Sequence, residues 1–330
     1  MKTLTLTGLS TPVARLGLGC MGMSEFYGSS DDAQSLKVMA RAVELGVTLF
    51  DTADMYGEGR NEELVGQFLK TRRDAVTLAT KCGIIRNNEP AARSIDTSPD
   101  YIKAACDASL KRLGVEVIDL YYLHRLDGVT PIEDSMGALA DLAKAGKIRA
   151  AGLSEVSAST LKRAHAVFPV SALQSEYSLT TRDPESDGTL ETCREIGAAF
   201  VAYSPLGRGL LAGAFRSPDD LEDGDLRKMA YFPRFQGDNL AANVALADLI
   251  AQMASDRGVT PAQLALAWLL SKDGVLPIPG TRKIERLEEN ARALEFNLSA
   301  ADIQALEAAT PPDAVKGTRY AEGGMAVLSR

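Results

Sequence analysis

The stretch GLGCMGMSEFYG, residues 17–28, decides which of two alternating strand-and-helix folds the chain adopts. In a doubly wound sheet that binds a dinucleotide, a glycine-rich turn leads from the first strand directly into an apolar helix. The glycines of residues 17–22 match that turn only loosely, because residues 23–28 do not continue into an apolar helix. The stretch therefore favours the other common α/β fold, a closed barrel.

Short apolar runs alternate with helical stretches along the rest of the chain, which is the pattern of repeated βα units and a parallel sheet. Four helical patterns, residues 33–45, 99–113, 132–145 and 241–257, are each followed by a glycine that favours a helix end. Eight strands predict a (β/α)₈ TIM barrel, and we expect one such domain over residues 1–330. The strand candidates are residues 15–20, 47–51, 76–81, 117–124, 148–154, 170–174, 200–204 and 275–279.

Composition excludes several classes of protein. With 45% hydrophobic and 24% charged residues, the chain has ordinary globular usage, and its net charge of −8 argues against a nucleic-acid partner. The first residues lack a secretory pattern and no run of about 18 apolar residues occurs, so we expect a cytoplasmic protein without a membrane partner. Nothing in the sequence indicates an oligomer, although one is compatible with it.

Metal chemistry is also not expected. The chain has two histidines, and its four cysteines are scattered without metal-ligand spacing. A site built from carboxylates alone stays open as an alternative.

Two segments interrupt the βα rhythm: residues 207–239 and the tail at residues 311–330. Both follow predicted barrel strands or close the chain, so we expect them on the carboxyl face of the barrel, where functional loops gather. The first is too long for an ordinary connection and predicts a lid or binding loop.

Ionisable side chains stand at the carboxyl ends of three neighbouring strands. Asp51, Lys81 and His124 end the second, third and fourth strands, and Tyr56 lies in the turn after the second. A phenol with an ordinary pKa near 10 needs a neighbouring cation if it is to donate a proton at neutral pH. Lys81 supplies that charge, and Asp51 holds the lysine in place and keeps it protonated. A neutral His124 polarises a substrate oxygen or relays the proton.

These residues stand in motifs that resemble the aldo-keto reductase superfamily. DTADMYG at residues 51–57, LATKCG at 78–83 and YYLHRLD at 121–127 match its Asp-Tyr-Lys-His tetrad. The similarity continues through GLSE, LQSEYS and AYSPLGRGLLAG to PGTRKIERLEEN. GCMGMS, PRFQGDN and the KGTRY tail look most like its microbial pyridoxal-reductase and plant auxin-induced-protein branch.

The resemblance implies NADPH/NADP⁺ as cofactor. It places Ser154, Gln174 and the adjoining Asp51 at the nicotinamide, with Tyr203 stacked on the ring. Glu155 stands where the family commonly has Asn, and a carboxylate accepts but cannot donate a hydrogen bond. Residues 207–239 would cover the cofactor. The remaining cofactor residues implied are Gly19 and Met21 from the first strand, Ser204, Leu206 and Arg208 at the pyrophosphate, Gly280, Thr281, Arg282 and Arg286 at the 2′-phosphate with Lys283 beside them, and Glu289 and Asn290 at adenine.

The implied reaction is reversible reduction of a small-molecule aldehyde or ketone, with Tyr56 as general acid. The expected pocket residues are Met23, Phe26, Tyr27, Met55 and His124, with Arg86 and the tail around Tyr320 nearby. Two alternatives stay open: an NADPH-binding regulatory subunit with little turnover, and an unrelated barrel lyase or isomerase that uses Lys81 as a Schiff-base nucleophile.

Overall fold

Eight parallel strands form one sheet, in which they lie in the same order as along the chain. The structure is a computed structural model that describes residues 2–86 and 93–330. The strands are β1 (Leu18–Gly19), β2 (Leu49–Asp51), β3 (Thr77–Cys82), β4 (Ile118–Leu123), β5 (Ile148–Ser154), β6 (Val170–Glu176), β7 (Ala199–Tyr203) and β8 (Val275–Pro277). All eight predicted strands are present, and most of their bounds differ from the prediction by one to three residues.

The sheet closes where β1 meets the segment that follows β8. Gly19 and Gly280 form a parallel bridge, and the amide of Gly17 donates to the carbonyl of Pro277 at 3.0 Å. A Cβ atom at Gly19 would lie 2.8 Å from the carbonyl oxygen of Ile278, so only glycine allows this approach. The predicted (β/α)₈ barrel is therefore confirmed.

Helices cover the outside of the barrel. Asp31 accepts hydrogen bonds from the amides of Ala33 and Gln34 at the start of the first helix, and Gly114 ends the third at a φ of 65°. The helices are α1 (Asp32–Glu44), α2 (Arg60–Arg72), α3 (Pro99–Leu113), α4 (Ile132–Lys144), α5 (Ala158–Val167), α6 (Thr189–Ile196), α7 (Gly237–Ser255), α8 (Pro261–Leu270), α9 (Ile284–Arg292), α10 (Ala300–Ala309) and α11 (Glu322–Met325).

Two hairpins are additions that the sequence did not predict. Thr3–Leu4 pairs with Val13–Ala14, and Ile84–Arg86 pairs with Arg93–Ile95. Strands of two or three residues are too short for a period to be recognised. Leu6 and Val13 of the first hairpin region pack with the residues inside the barrel, so this hairpin closes its lower end.

Residues 207–236, here called the lid, are ordered by an apolar cluster of their own. They form short 3₁₀ turns at Gly207–Ala212, Pro218–Asp220, Leu226–Lys228 and Pro233–Phe235. The segment is three residues shorter than the predicted 207–239, because α7 begins at Gly237, whereas the helical pattern began at residue 241. The buried members of its cluster are Leu210, Phe215, Leu221, Leu226, Phe232, Phe235, Leu240, Ala247 and, from the tail, Tyr320.

No helix in the described part of the chain is both long and apolar enough to cross a membrane.

Candidate active site

A buried ion pair lies at the centre of the site. Lys81 is fully buried in β3, and its Nζ donates to Oδ1 of Asp51 at 2.5 Å and to the carbonyl of Thr52 at 2.8 Å. The same nitrogen lies 5.1 Å from the ring centre of Tyr56. The Tyr56 and His124 rings meet edge to face with centres 5.8 Å apart. The four side chains predicted to act together are therefore neighbours.

The charges of this group follow from its burial and its partners. Burial disfavours the charged lysine, but Asp51 and Tyr56 outweigh that effect, so the pKa of Lys81 is raised. Burial also raises the pKa of Tyr56, and the positive charge of Lys81 opposes that rise only in part. The result is a protonated phenol beside a permanent cation, the state required of a proton donor.

Polar contacts that the sequence analysis missed hold the loops around Asp51. Nε2 of Gln174 donates to Oδ2 of Asp51 at 2.8 Å. Asn61 in α2 accepts from the hydroxyl of Thr52 at 2.6 Å and donates to the hydroxyl of Ser24 at 2.7 Å. Asn61 is fully buried, and it ties the loop after β1 to the loop after β2. The position of Asn61 within a helical stretch gave no indication in the sequence that it connects these two loops.

The ends of β5 and β7 contribute Ser154 and Tyr203 to the next part of the rim. Arg125, which the sequence analysis also missed, donates to the hydroxyl of Ser154 at 3.0 Å and to the carbonyl of His124 at 2.6 Å. Glu155 does not present its Oε1 as a free acceptor, because that oxygen receives a 2.7 Å hydrogen bond from the hydroxyl of Tyr203. Its φ of 54° lies in the left-handed region, which costs energy for a residue with a Cβ atom.

The segment after β7 shows the same backbone strain. Ser204 and Arg208 have φ values of 47° and 57°, and Leu206 between them is half-buried before the first turn of the lid. Strained residues cluster at ligand sites, where surrounding structure maintains them. Arg208 donates to the hydroxyl of Tyr320 at 2.9 Å and lies 3.4 Å from the carboxylate of Glu176.

The start of α9 carries the basic residues predicted for the 2′-phosphate. Arg282 donates to the carbonyl of Tyr27 at 2.7 Å and also to that of Ser29, so it reaches across to the loop after β1. Arg286 pairs with Glu289 on the same helix at 2.8 Å. The neighbouring members of this group are Gly280 at the seam, Thr281, whose hydroxyl accepts from the amide of Lys283, and the buried Asn290.

Apolar side chains surround Tyr56 on its open side. Met55 and Tyr56 pack against Met21, Phe26 and Ile84. This wall contains two of the predicted pocket residues, Phe26 and Met55.

Of the other expected pocket residues, His124 lies beside Tyr56, whereas Met23 and Tyr27 have other surroundings. Met23 is fully buried in the main core, because the 3₁₀ turn Met21–Met23 directs it inward, so it does not line the open pocket. Tyr27 faces the lid, where the guanidinium of Arg227 lies 5.1 Å from its ring centre. Arg86 pairs with Glu25 and lies 5.3 Å from the ring centre of Phe26.

The lid contacts the loop after β1 through hydrogen bonds. The amide of Leu226 donates to the carbonyl of Phe26 at 3.0 Å, and the carboxylate of Glu222 accepts from the amide of Ser29 at 3.0 Å. Within the described residues, no group of three or more potential metal ligands occurs.

A closed barrel that gathers a buried lysine–aspartate pair, a tyrosine and a histidine at its strand ends defines a barrel enzyme. The model of the Aldo/keto reductase family matches residues 15–311. The chain belongs to the aldo/keto reductase family.

Known proteins of this family resemble the chain over nearly its whole length. It is 48% identical over 317 residues to the aldo-keto reductase yakc, named for NADP(+), of Schizosaccharomyces pombe, a match that covers 94% of this chain and 92% of the relative. The glycerol dehydrogenase AKR11B4 from Gluconobacter oxydans has a TM-score of 0.85 at 30% identity and covers 96% of this chain and 98% of its own. An aldo/keto reductase from Klebsiella pneumoniae in complex with NADP and acetate has a TM-score of 0.72 at 30% identity. The match covers 97% of this chain and 98% of that chain.

Proposed function

We propose that this protein is an NADP-linked oxidoreductase that interconverts aldehydes or ketones and alcohols, with Tyr56 as the general acid of reduction. The observation that carries the proposal is the fully buried cation of Lys81, 2.5 Å from Asp51 and directly beside the phenol. A buried ammonium ion is costly, so its position beside an ionisable hydroxyl indicates a chemical use.

We propose that a groove between the lid and the loop after β1 holds a phosphorylated dinucleotide. Arg208 stands at one end, and Arg282 and Arg286 stand at the other, with charge and geometry suited to phosphate oxygens. A Cβ atom at Gly280 would lie 2.9 Å from the carbonyl oxygen of Gly19, so the absence of a side chain lets the two segments of the seam pack closely beside this groove. Ser154 and Gln174 would hold the nicotinamide, and Tyr203 would support its ring.

Each residue of the tetrad has a distinct part in the reaction. NADPH, when bound, supplies the hydride that reaches the carbonyl carbon. Tyr56 donates its hydroxyl proton to the carbonyl oxygen, and Lys81 stabilises the phenolate that this step leaves. Asp51 keeps Lys81 charged and fixed. His124, edge on to Tyr56, hydrogen-bonds the substrate oxygen and orients it.

The test follows NADPH and NADH oxidation with an activated aromatic aldehyde, for the native protein and for Tyr56→Phe. We expect turnover with NADPH that falls by about 10²-fold or more in the variant, since a positioned acid contributes roughly that factor. Tyr177→Phe is the matched control, because the Tyr177 hydroxyl donates to Glu185 at 2.8 Å and contacts no residue of the tetrad, and the variant should turn over at the native rate.

Normal turnover in Tyr56→Phe would contradict the mechanism. Tight NADPH binding without turnover of any aldehyde or ketone in a broad panel would instead favour a regulatory subunit. Reductive trapping of substrate on Lys81 by borohydride would favour a Schiff-base enzyme.

A further inference from the structure

A chain of hydrogen bonds connects the lid to the end of β5. Arg208 donates to the hydroxyl of Tyr320 at 2.9 Å, the hydroxyls of Tyr320 and Tyr203 lie 3.0 Å apart, and the hydroxyl of Tyr203 donates to Oε1 of Glu155 at 2.7 Å. Each hydroxyl in this series can donate once and accept once, so the order Arg208 to Tyr320 to Tyr203 to Glu155 satisfies every member. The chain crosses the lid, the tail, β7 and β5.

Glu155 is the fixed end of this chain. Its Oε1 also accepts from the amide of Glu176 at 3.0 Å and from the guanidinium of Arg319 at 3.0 Å. Both partners of that ion pair are buried, with side chains 9% and 3% exposed. Burial lowers the pKa of Arg319, but Glu155 and the neighbouring phenols and carboxylate outweigh this and raise it, so Arg319 stays charged.

Backbone contacts hold the tail on the same rim. The amide of Ser329 donates to the carbonyl of Glu155 at 2.9 Å, and the amide of Ser157 donates to the carbonyl of Arg330 at 3.0 Å. These contacts secure the tail beyond Tyr320 on the same rim where Tyr320 meets Tyr203. The ring centre of Tyr320 also lies 5.7 Å from the ring centre of Phe232 in the lid.

This series of hydrogen bonds joins two residues that we assign to different parts of the cofactor. Tyr203 is the platform for the nicotinamide ring, and Arg208 is the cation for the pyrophosphate. Neither has freedom to move without breaking a bond to Tyr320.

We propose that Tyr320 and Glu155 are positioning residues, which hold the nicotinamide platform Tyr203 and the pyrophosphate ligand Arg208 in register through this hydrogen-bond chain. This proposal rests on the proposed function, because it gives the series of hydrogen bonds a role in binding the cofactor. It gives the buried Glu155 a structural purpose that a ligand of the carboxamide would not have, namely to anchor a tyrosine and an arginine.

The experiment measures the dissociation rate of NADPH by stopped-flow fluorescence for the native protein, Tyr320→Phe, Tyr203→Phe and the double variant. Each single change keeps the aromatic ring and removes one hydroxyl. We expect each to raise the dissociation rate by about tenfold, the effect of losing roughly one good hydrogen bond. The double variant should release NADPH no faster than the single variants, because the same connection is broken in all three.

Tyr177→Phe is the matched control, because the Tyr177 hydroxyl donates to Glu185 at 2.8 Å, outside this series of hydrogen bonds. It should release NADPH at the native rate. Glu155→Gln should behave like Tyr320→Phe and should also make the tail more accessible to a protease in the absence of cofactor.

Native dissociation rates in Tyr320→Phe and Tyr203→Phe would overturn the inference, as would effects that multiply in the double variant. A native protein that does not bind NADPH would defeat the proposed function instead. Tail protection in Glu155→Gln equal to that of the native protein would contradict the anchoring role independently of the cofactor.

Discussion

At the scale of single residues, the charge of Lys81 depends on its partner Asp51. Burial alone would lower the pKa of the amine, and the carboxylate is the largest influence that raises it. Lys81 in turn opposes the rise that burial imposes on the pKa of Tyr56. The ionisation of Tyr56 is therefore coupled through Lys81 to Asp51.

This coupling predicts the pH dependence of reduction. The pKa of Tyr56 is raised above its ordinary value of 10.0, so the phenol keeps its proton through the neutral and mildly alkaline range. The kcat of carbonyl reduction should therefore stay level there and fall only as pH rises through that raised pKa. In Asp51→Asn we expect kcat to fall by about tenfold or more and an alkaline decline to begin at lower pH.

Asp141→Asn is the control for this measurement, because Asp141 forms an exposed ion pair with Lys103 on the outer helices. Its pH profile should coincide with that of the native protein. A native profile in Asp51→Asn would contradict the coupling.

Asp54 gives a second prediction at this scale, concerning stability. Burial and the nearby carboxylate of Glu62 raise its pKa from 3.8 to about 7, and within the described residues its Oδ1 has no hydrogen-bond partner. Between these two pKa values the folded state binds a proton that the unfolded state does not, so stability falls as pH rises toward 7 and then levels off. Asp54→Asn should therefore raise the melting temperature more at pH 8 than at pH 5. An equal or opposite difference would contradict the shifted pKa.

The sequence predicted the tetrad residues because each follows a strand end or its turn. It did not predict Arg125, Asn61 or the link between Tyr203 and Tyr320. Those contacts depend on how a helix and the distant tail fold back onto the rim, which local patterns do not encode. Met23 was predicted at the pocket, but the 3₁₀ turn Met21–Met23 buries it in the main core and leaves Met21 packed beside Tyr56.

At the scale of elements, β5 makes room for a tyrosine beneath the site. A Cβ atom at Gly152 would overlap the ring of Tyr122 on β4, and that ring centre lies 6.0 Å from Nζ of Lys81. Gly152→Ala should therefore displace the ring, destabilise the protein by about 1–3 kcal/mol and lower kcat, since overpacked cores yield by shifting side chains.

Gly137→Ala in α4 is the matched substitution for comparison. A Cβ atom there meets nothing within 4 Å among the described residues, so the variant should be more stable by about 0.5–1 kcal/mol. Thermal unfolding and kcat of the two variants distinguish overlap at Tyr122 from a general effect of the methyl group. Equal stability changes would contradict this account.

The strand pattern was predicted well because every barrel strand is a buried apolar run between helices. The start of α7 was not, because Gly237, Asp238 and Asn239 have low helix propensity and conceal the first turn. The internal cluster of the lid was also missed, since its aromatic residues follow neither the period of a strand nor that of a helix.

At the scale of the whole molecule, the net charge is −8, whereas the groove proposed for the cofactor has arginines at both ends. An anionic cofactor is repelled by the general surface and attracted by the groove. We therefore expect Arg286→Met to raise the KM for NADPH by about tenfold and to leave that for NADH within roughly twofold, because only NADPH carries the 2′-phosphate.

Arg292→Met, at the other end of α9, should leave both constants unchanged. Added salt should weaken NADPH binding less in Arg286→Met than in the native protein, because one screened attraction is gone. Equal losses for NADPH and NADH would contradict the assignment of Arg286 to the 2′-phosphate.

The seam between Gly19 and Gly280 also determines when the enzyme can be completed during its synthesis. β1 leaves the ribosome first, but the segment that closes against it is made nearly last. Until then β1 has an unpaired edge, and a nascent barrel with an open edge is exposed to misassociation. The residues proposed for the cofactor lie on both sides of this seam, so we expect NADPH to stabilise only a chain that already contains both sides. Nascent chains that end before residue 280 should consequently depend on chaperones rather than on cofactor for protection.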